Sequence, residues 1–176
     1  DGALAKADGI ELRLPYNSDP IAREKINAGQ MEYLDMHLSQ LAPAVWQGVL
    51  GPLDTAVIEV SAINDDGSLT PSSSIGNNKT WLDRADRIIL EVNSWQNPAL
   101  EGMHDIYYGT ALPPARVPIP LTKPTDLIGE TVFRVDPSKI AAIVETDSPD
   151  RNLPFAAGVV RSEERRVGKE CRSRWS

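Results

Sequence analysis

Cysteine, histidine and long apolar runs are scarce in this sequence. Its only cysteine is Cys171 and it has two histidines, so it offers no disulfide framework and few soft metal ligands. No apolar stretch approaches the roughly 18 residues that a membrane helix needs, and no basic and then apolar leader opens the chain. These absences favour a soluble, cytoplasmic protein that holds no metal and binds no membrane.

Residues 161–176, RSEERRVGKECRSRWS, differ chemically from everything before them. The segment is rich in arginine and lacks an apolar period, which is typical of a solvated basic extension that contacts nucleic acid. It instead resembles the in-frame translation of a short-read sequencing adapter, and we exclude it from fold reasoning. Because the chain also opens at Asp1 without an initiator methionine, we expect a native piece, 1–160, that lacks sequence on both sides and carries a non-native tail, 161–176.

The native piece is distinctly acidic. The tail holds six basic and three acidic residues, so without it the formal net charge changes from −7 to −10. Polyanion binding depends on neutralising phosphates with lysine and arginine. The charge therefore argues against nucleic acid as a partner.

Apolar runs alternate with helical patterns along the chain. Residues 55–63, TAVIEVSAI, and 87–93, RIILEVN, are too continuously apolar for strands with one wet face, and 140–146 are similar. We expect all three to be buried strands, with shorter strands at 9–14 and 32–36. Strands that alternate with helices predict an α/β fold with an open, mostly parallel sheet. The proline-rich stretch 95–131 should instead wrap the domain with little regular structure.

Three helices are expected between the strands. Residues 20–28 follow a cap at Ser18 or Asp19 and precede Gly29. Apolar side chains from Leu38 to Val49 recur at steps of three and four, which indicates a helix stripe. Its cap would be Ser39, and Pro43 would have to lie in its first turn. A third, short helix is expected around 81–85, after a polar loop at 70–78.

The residue patterns leave several kinds of chemistry open. The loop TPSSSIGNNKT has hydroxyls and free backbone donors for an anion, but a P-loop needs glycine where Asn78 stands. Asp35 with His37, and Glu101 with His104 and Asp105, are metal-ligand types without diagnostic spacing. No G-x-S-x-G elbow is present. We therefore predict neither a nucleotide hydrolase, nor a metal site, nor a serine triad.

Two carboxylates and one loop are better candidates. Glu59 and Glu91 each interrupt an apolar strand, where a buried carboxylate needs a partner or acquires a raised pKa. Either side chain faces a pocket, or is bonded to loop amides or solvent. Asn17 and Ser18 follow the first strand at the edge where open α/β sheets bind ligands, although helix capping alone explains them. They are candidate substrate contacts.

Six segments of the chain, read in order, resemble the acetyl-CoA hydrolase/transferase family, most nearly its succinyl-CoA:acetate CoA-transferases. The resemblance covers nearly all of residues 1–155. The segments are RLPYNSDPIAREKINAG, EYLDMHLSQ, AVIEVSAINDDG, TPSSSIGNNKTWLDRADRIILEVNSWQNP, LEGMHDIY and DPSKIAAIVETD.

The resemblance implies a truncated N-terminal domain of the CoA-transferase type. The family has two related open α/β domains, and a glutamate attacks the thioester to give first a mixed anhydride and then a glutamyl-CoA intermediate. That glutamate and the oxyanion donors belong to the second domain, so no catalytic residue is expected here, and neither Glu59 nor Glu91 matches the nucleophile's motif. The resemblance places Ser18 and Arg151 near the carboxylate pocket, where a guanidinium can hold a carboxylate by paired hydrogen bonds.

The expected function is that of a CoA-transferase fragment. It would move coenzyme A between short-chain acyl-CoA and acetate or a related carboxylate, with the thioester as substrate and no bound cofactor. The complete protein is expected to be a homodimer. An acetyl-CoA hydrolase and a non-catalytic binding or assembly module remain as alternatives.

Overall fold

The computed structural model describes residues 2–7, 9–14, 19–107 and 117–150. In chain order the helices and strands are α1 (Gly2–Lys6), β1 (Arg13–Leu14), α2 (Pro20–Asn27), β2 (Glu32–Tyr33), α3 (Leu38–Trp46), β3 (Thr55–Ile63), β4 (Leu69–Pro71), α4 (Asn78–Arg84), β5 (Arg87–Asn93) and β6 (Ile140–Thr146).

The main sheet has four strands in the order β4-β3-β5-β6. The three long strands β3, β5 and β6 are parallel, and only the short β4 runs antiparallel to β3. A separate parallel pair joins β1 to β2. The predicted fold class, α/β with an open and mostly parallel sheet, is confirmed, and the three apolar runs are strands with the predicted bounds.

One face of the main sheet forms the core. Ile58, Val60, Ile88 and Leu90 are buried there with Leu82 of α4. Phe133, just after the proline-rich stretch, is also fully buried in this cluster. Successive side chains of a strand point to opposite faces, so the residues between them lie on the other side.

The opposite face, which we call the second face, carries Val57, Glu59, Glu91 and Val144. Val57 is 65% exposed and Val144 is 47% exposed, and β6 has no buried residue. The expectation that all three strands are buried is therefore wrong for the described part of the chain. An apolar run identifies a parallel strand, but it does not specify what covers each face.

Helix α2 begins as its sequence predicts. Asp19 is the N-cap, and its Oδ1 accepts hydrogen bonds from the backbone N–H groups of Ile21 (3.0 Å) and Ala22 (3.1 Å). Pro20 takes the first helical position, where its missing N–H has no intrahelical partner to lose. The turn at Gly29 has a φ of +69°, which glycine adopts without strain.

Helix α3 differs from its prediction at both ends. Its N-cap is His37, which makes no side-chain capping bond, so the assignment of Ser39 as cap is wrong. Pro43 lies in the helix interior instead of the first turn. The helix ends at Trp46, and Val49, beyond that end, is 66% exposed. The helix buries Leu41 and Val45 of the apolar stripe. It forms even though Pro43 lies in its interior, where proline is disfavoured.

Several boundaries also needed correction. The strands at 9–14 and 32–36 shrink to two residues each, β1 and β2. Part of the loop expected at 70–78 belongs to β4, whose register with β3 is fixed by the turn at Gly67. Helix α4 begins at Asn78, before the expected start. These strands are only two or three residues long, which is too short for a periodic pattern to fix their bounds.

The proline-rich stretch has little regular structure over its described residues, as predicted. It contains one 3-10 turn, Pro98–Leu100, and a bridge between Ile106 and Glu130. Residues 108–116 of the stretch lie outside the described part. The bridge pairs two segments of the stretch in antiparallel orientation. Three residues after Glu130, Phe133 forms a second antiparallel bridge with Leu69.

Candidate functional site

The three parallel strands end at one edge of the sheet. Their last residues are Ile63, Asn93 and Thr146. In open α/β sheets, ligands bind in the crevice beyond the carboxyl ends of the strands. This carboxyl edge is therefore where a functional site is expected.

A network of buried side-chain amides lies on the second face, close to this edge. The Asn93 side chain is 2% exposed, and its Nδ2 donates to Glu59 Oε1 at 2.6 Å. Gln96, 4% exposed, donates from Nε2 to the same oxygen at 3.1 Å. Glu59 thus has the partners that its interruption of an apolar strand required, although they are side-chain amides instead of loop backbone.

The network continues into the segment that follows β6. Gln96 Nε2 also donates to Asp150 Oδ1 at 3.1 Å, and Ser73 Oγ donates to Asp150 Oδ2 at 2.7 Å. The Asn93 side chain makes two hydrogen bonds with the backbone of Ser148. Its Nδ2 donates to Ser148 O (2.8 Å), and its Oδ1 accepts from Ser148 N (3.1 Å). We call Ser73, Asn93, Gln96 and Asp150, with Glu59, the edge network.

A cleft of about 300 Å³ opens beside the edge network. Gln96 belongs to both. The cleft is lined by hydroxyl and amide side chains, two small apolar residues and one carboxylate: Ser61, Ala62, Asn64, Thr70, Ser94, Gln96, Pro98 and Glu101. The hydroxyl and amide side chains of this lining already form hydrogen bonds within the protein. Among the described residues, no arginine or lysine lines this cleft.

Glu91 lies beside Glu59 on the second face. The two residues are register partners on β3 and β5. Glu91 Oε1 accepts from the Thr146 hydroxyl at 2.9 Å. Both strand carboxylates therefore accept hydrogen bonds from side chains near the carboxyl edge.

The three predicted substrate contacts, Asn17, Ser18 and Arg151, lie outside the described residues. Arg151 directly follows Asp150 in the chain. The hypothesis that these three residues contact substrate stays a prediction.

The other sequence hypotheses gain no support from the described residues. Across those residues no group of three or more His, Cys, Asp or Glu side chains could hold a metal ion. Asp105 accepts a hydrogen bond from the Ile128 backbone instead, at 3.1 Å, and His104 Nε2 is buried without a hydrogen-bond partner within the described chain. Lys79 pairs with Asp83 on its own helix at 2.6 Å. In the same part of the chain, no helix is long and apolar enough to cross a membrane.

Sequence reasoning missed most of the edge network. It identified Glu59 but none of Ser73, Asn93, Gln96 and Asp150 as members of a site. The available signal was the position of Asn93 at the last residue of a parallel strand, which the rule for carboxyl edges marks as a ligand position. The contacts of Ser73 and Asp150 span 77 residues, and no local pattern predicts them.

Comparisons with known proteins place the chain in a family. Residues 1–145 match the model for the acetyl-CoA hydrolase/transferase N-terminal domain. The chain is 43% identical over 155 residues to a succinyl-CoA:acetate CoA-transferase of Clostridium kluyveri, covering 88% of this chain and 29% of that protein. It is 40% identical over 150 residues to a propanoyl-CoA:succinate CoA transferase of Escherichia coli, covering 85% and 30%.

A solved structure shares the fold. The crystal structure of RipA from Yersinia pestis superposes with a TM-score of 0.51 at 19% identity, over 83% of this chain and 28% of that one. At that identity the likeness concerns the fold alone. The chain spans about 29% of the length of the first curated relative. On the match of residues 1–145, it belongs to the acetyl-CoA hydrolase/transferase family.

Proposed function

We propose that this chain is the N-terminal part of an enzyme that transfers coenzyme A between carboxylates. Its substrates would be a short-chain acyl-CoA, such as succinyl-CoA or acetyl-CoA, and acetate or a related carboxylate. The observation that carries the proposal is the 43% identity over 155 residues to a protein named a succinyl-CoA:acetate CoA-transferase. The coenzyme A thioester is a substrate of this reaction, and no resident cofactor is needed.

The reaction proceeds through two covalent intermediates on a glutamate. A glutamate oxygen attacks the thioester carbonyl and expels the CoA thiolate, which leaves an acyl-glutamyl anhydride. The thiolate then attacks the glutamyl carbonyl and releases the first carboxylate, which leaves glutamyl-CoA. An acceptor carboxylate repeats these two steps in reverse, so one difficult transfer is divided into easier ones.

The nucleophile is proposed to lie outside this chain, in a second domain. Residues 1–160 would then be a partial N-terminal domain whose task is to shape the pocket. The contacts of Glu59 and Glu91 support this division, because Glu59 accepts from two buried amides and Glu91 from the Thr146 hydroxyl. A carboxylate held in this way has less freedom to approach a thioester carbon.

The substrate carboxylate is proposed to be held by Arg151, with Asn17 and Ser18 beside it. The planar guanidinium matches a carboxylate with two charge-assisted hydrogen bonds. The described residues of the cleft lining include no cation, which leaves this role open to a residue outside them. Arg151→Ala in the full-length enzyme should therefore raise the KM for acetate.

The experiment is a substrate exchange assay on the full-length protein. Succinyl-CoA and labelled acetate should give labelled acetyl-CoA with ping-pong kinetics, since the first half-reaction releases succinate and leaves CoA on the enzyme, and the second transfers that CoA to acetate. Acyl-CoA hydrolysis that is unaffected by acetate would favour the second candidate, an acetyl-CoA hydrolase, which the family's description includes. The outcome depends on how well the closed site excludes water.

A non-catalytic assembly module is the remaining candidate. It would bind acyl-CoA or form the proposed homodimer without turnover in either assay. Sedimentation of the full-length protein tests the dimer independently of catalysis. We propose the cytoplasm as the place of action.

A further inference from the structure

β6 is the last strand of the main sheet, and only one of its two sides is paired. It pairs with β5, and no described strand lies on the side that faces away from β5, which we call the outer side. The outer side of such a strand presents a row of unpaired N–H and C=O groups. This row is a template for pairing with another chain.

Apolar side chains are exposed on both faces of β6. Ile143, whose register partner Leu90 lies in the core, is 55% exposed, and Val144 on the second face is 47% exposed. Parallel sheets are normally covered on both faces. Exposed apolar surface on both faces of one strand, beside an unpaired side, therefore indicates an interface.

β6 lacks the features by which natural edge strands avoid association. Such strands are very short, or contain lysine or proline. β4, at the other end of the sheet, has three residues and ends in Pro71. β6 has seven residues, IAAIVET, with neither lysine nor proline. The irregularity in its pairing with β5 lies at its first residues, so 142–146 form a regular strand that can accept a partner.

The charges at the two ends of β6 favour one partner and one orientation. Lys139 directly precedes the strand, whereas Glu145 and Asp147 lie at its other end. If two β6 strands pair in antiparallel orientation, the basic end of each lies beside the acidic end of the other. Parallel pairing would instead bring like charges together, which destabilises facing strands. The strand is therefore complementary to a second copy of itself.

We propose that β6 is a self-association site, at which two copies of this chain pair through antiparallel β6 strands. The interface is isologous, because each copy contributes the same surface about a two-fold axis. Pairing joins two four-stranded sheets into one of eight strands, which is within the usual size of a sheet. The inference concerns the chain of 176 residues and does not rest on the proposed CoA transfer.

Sedimentation of this chain over a range of concentrations is the first test. In about 0.15 M salt, which screens the repulsion between two acidic chains, the mass should rise from that of one chain towards that of two. Hydrogen exchange over the same range should slow at the outward amides of β6, because they acquire carbonyl partners. The amides of β5, which has a strand on both sides, should not change.

Val144→Lys should weaken the dimer. It places one lysine from each copy on facing strands, where like charges repel. The matched control is Val57→Lys, which adds the same charge to the same face on β3, a strand with neighbours on both sides. We expect the dimer dissociation constant to rise at least about tenfold in Val144→Lys and less than about twofold in Val57→Lys. Thermal unfolding checks that both variants keep the fold.

A charge exchange tests the antiparallel orientation. Lys139→Glu places acid beside acid at both ends of the interface and should weaken the dimer. Adding Asp147→Lys restores an opposite pair, so the double variant should dimerise more tightly than Lys139→Glu alone. A double variant that dimerises no better than the single one would overturn the antiparallel arrangement.

Two further results would overturn the inference. If the chain stays monomeric while the outward amides of β6 are protected, residues of the same chain cover the strand instead of a second copy. If the chain dimerises equally well with Val144→Lys and with Val57→Lys, the interface lies on another surface. Because hydrogen exchange is measured on the unmodified chain, the first of these results does not depend on whether a variant folds.

Discussion

Gly129 lies where the proline-rich stretch crosses its own backbone. Its φ is +75°, and a Cβ at this position would lie 1.9 Å from the carbonyl oxygen of Ile106. Gly102 has nearly the same φ, +74°, but a Cβ there meets nothing within 4 Å. The pair separates the effect of backbone conformation from the effect of crowding.

Gly129→Ala should therefore destabilise the protein more than Gly102→Ala. The positive φ costs both variants roughly 1–2 kcal/mol. Gly129→Ala must also displace the bridge between Ile106 and Glu130, which adds at least about 1 kcal/mol as an overpacking term. Urea unfolding of the two variants measures the difference. Equal midpoints would show that the crossing does not constrain the fold.

Asp126 gives a prediction for pH. Hydrogen bonds from the Thr122 backbone, then the Thr122 hydroxyl and the Lys123 backbone, lower the pKa of Asp126 from its ordinary 3.8. A lowered pKa in the folded state means that the charged form is the stabilised one. The contribution is complete above about pH 3.8 and is lost as the pH falls through the lower folded-state value.

Asp126→Asn removes this titration. The variant should be less stable than the parent at neutral pH, and the difference should shrink at pH values below the folded-state pKa. Unfolding by denaturant across the acid range measures it. A stability difference that stays constant down to the most acid pH would contradict the assigned cause.

At the scale of secondary structure, β3 shows how two faces of one strand differ. Ile58 is 1% exposed in the core, while its neighbour Val57 on the second face is 65% exposed. Ile58→Ala should cost about 2–4 kcal/mol through lost burial and a cavity. Val57→Ala should stay within about 0.5 kcal/mol. Thermal unfolding of this chain measures both, and a similar cost for the two would mean that the faces are assigned incorrectly.

The parallel strands were the most predictable elements. β3, β5 and β6 begin and end where the apolar runs begin and end. Parallel strands are typically runs of apolar residues, which is the signal that these three segments carry. The cap at Asp19 was equally predictable from the sequence, since capping is a local hydrogen bond. The three-residue strand β4 was too short to give a periodic signal, and the polar start of α4 gave none.

The candidate site was less predictable than the sheet. The predicted ends of the strands locate the carboxyl edge. Glu59 was recognisable as a carboxylate in an apolar strand. Its partners were not, because Asn93 and Gln96 reach it from 34 and 37 residues away along the chain. Such contacts depend on tertiary packing, which one sequence read locally does not contain.

At the scale of the whole molecule, we propose that shaping the pocket and attacking the thioester are tasks of two different domains. The chain covers 29% of its first curated relative, and its two strand glutamates are engaged by neighbours. We predict that residues 1–160 alone give no CoA exchange between succinyl-CoA and acetate. The full-length protein under the same conditions is the positive control. Turnover by residues 1–160 would mean that the nucleophile lies within them.

The most direct test is to locate the covalent intermediate. The full-length enzyme is incubated with acyl-CoA, the glutamyl-CoA adduct is trapped by reduction, and the modified peptide is identified by mass spectrometry. The account predicts one modified glutamate outside the residues of this chain, with Glu59 and Glu91 unmodified. A label on Glu59 or Glu91 would contradict it, and so would transfer activity without any glutamyl adduct.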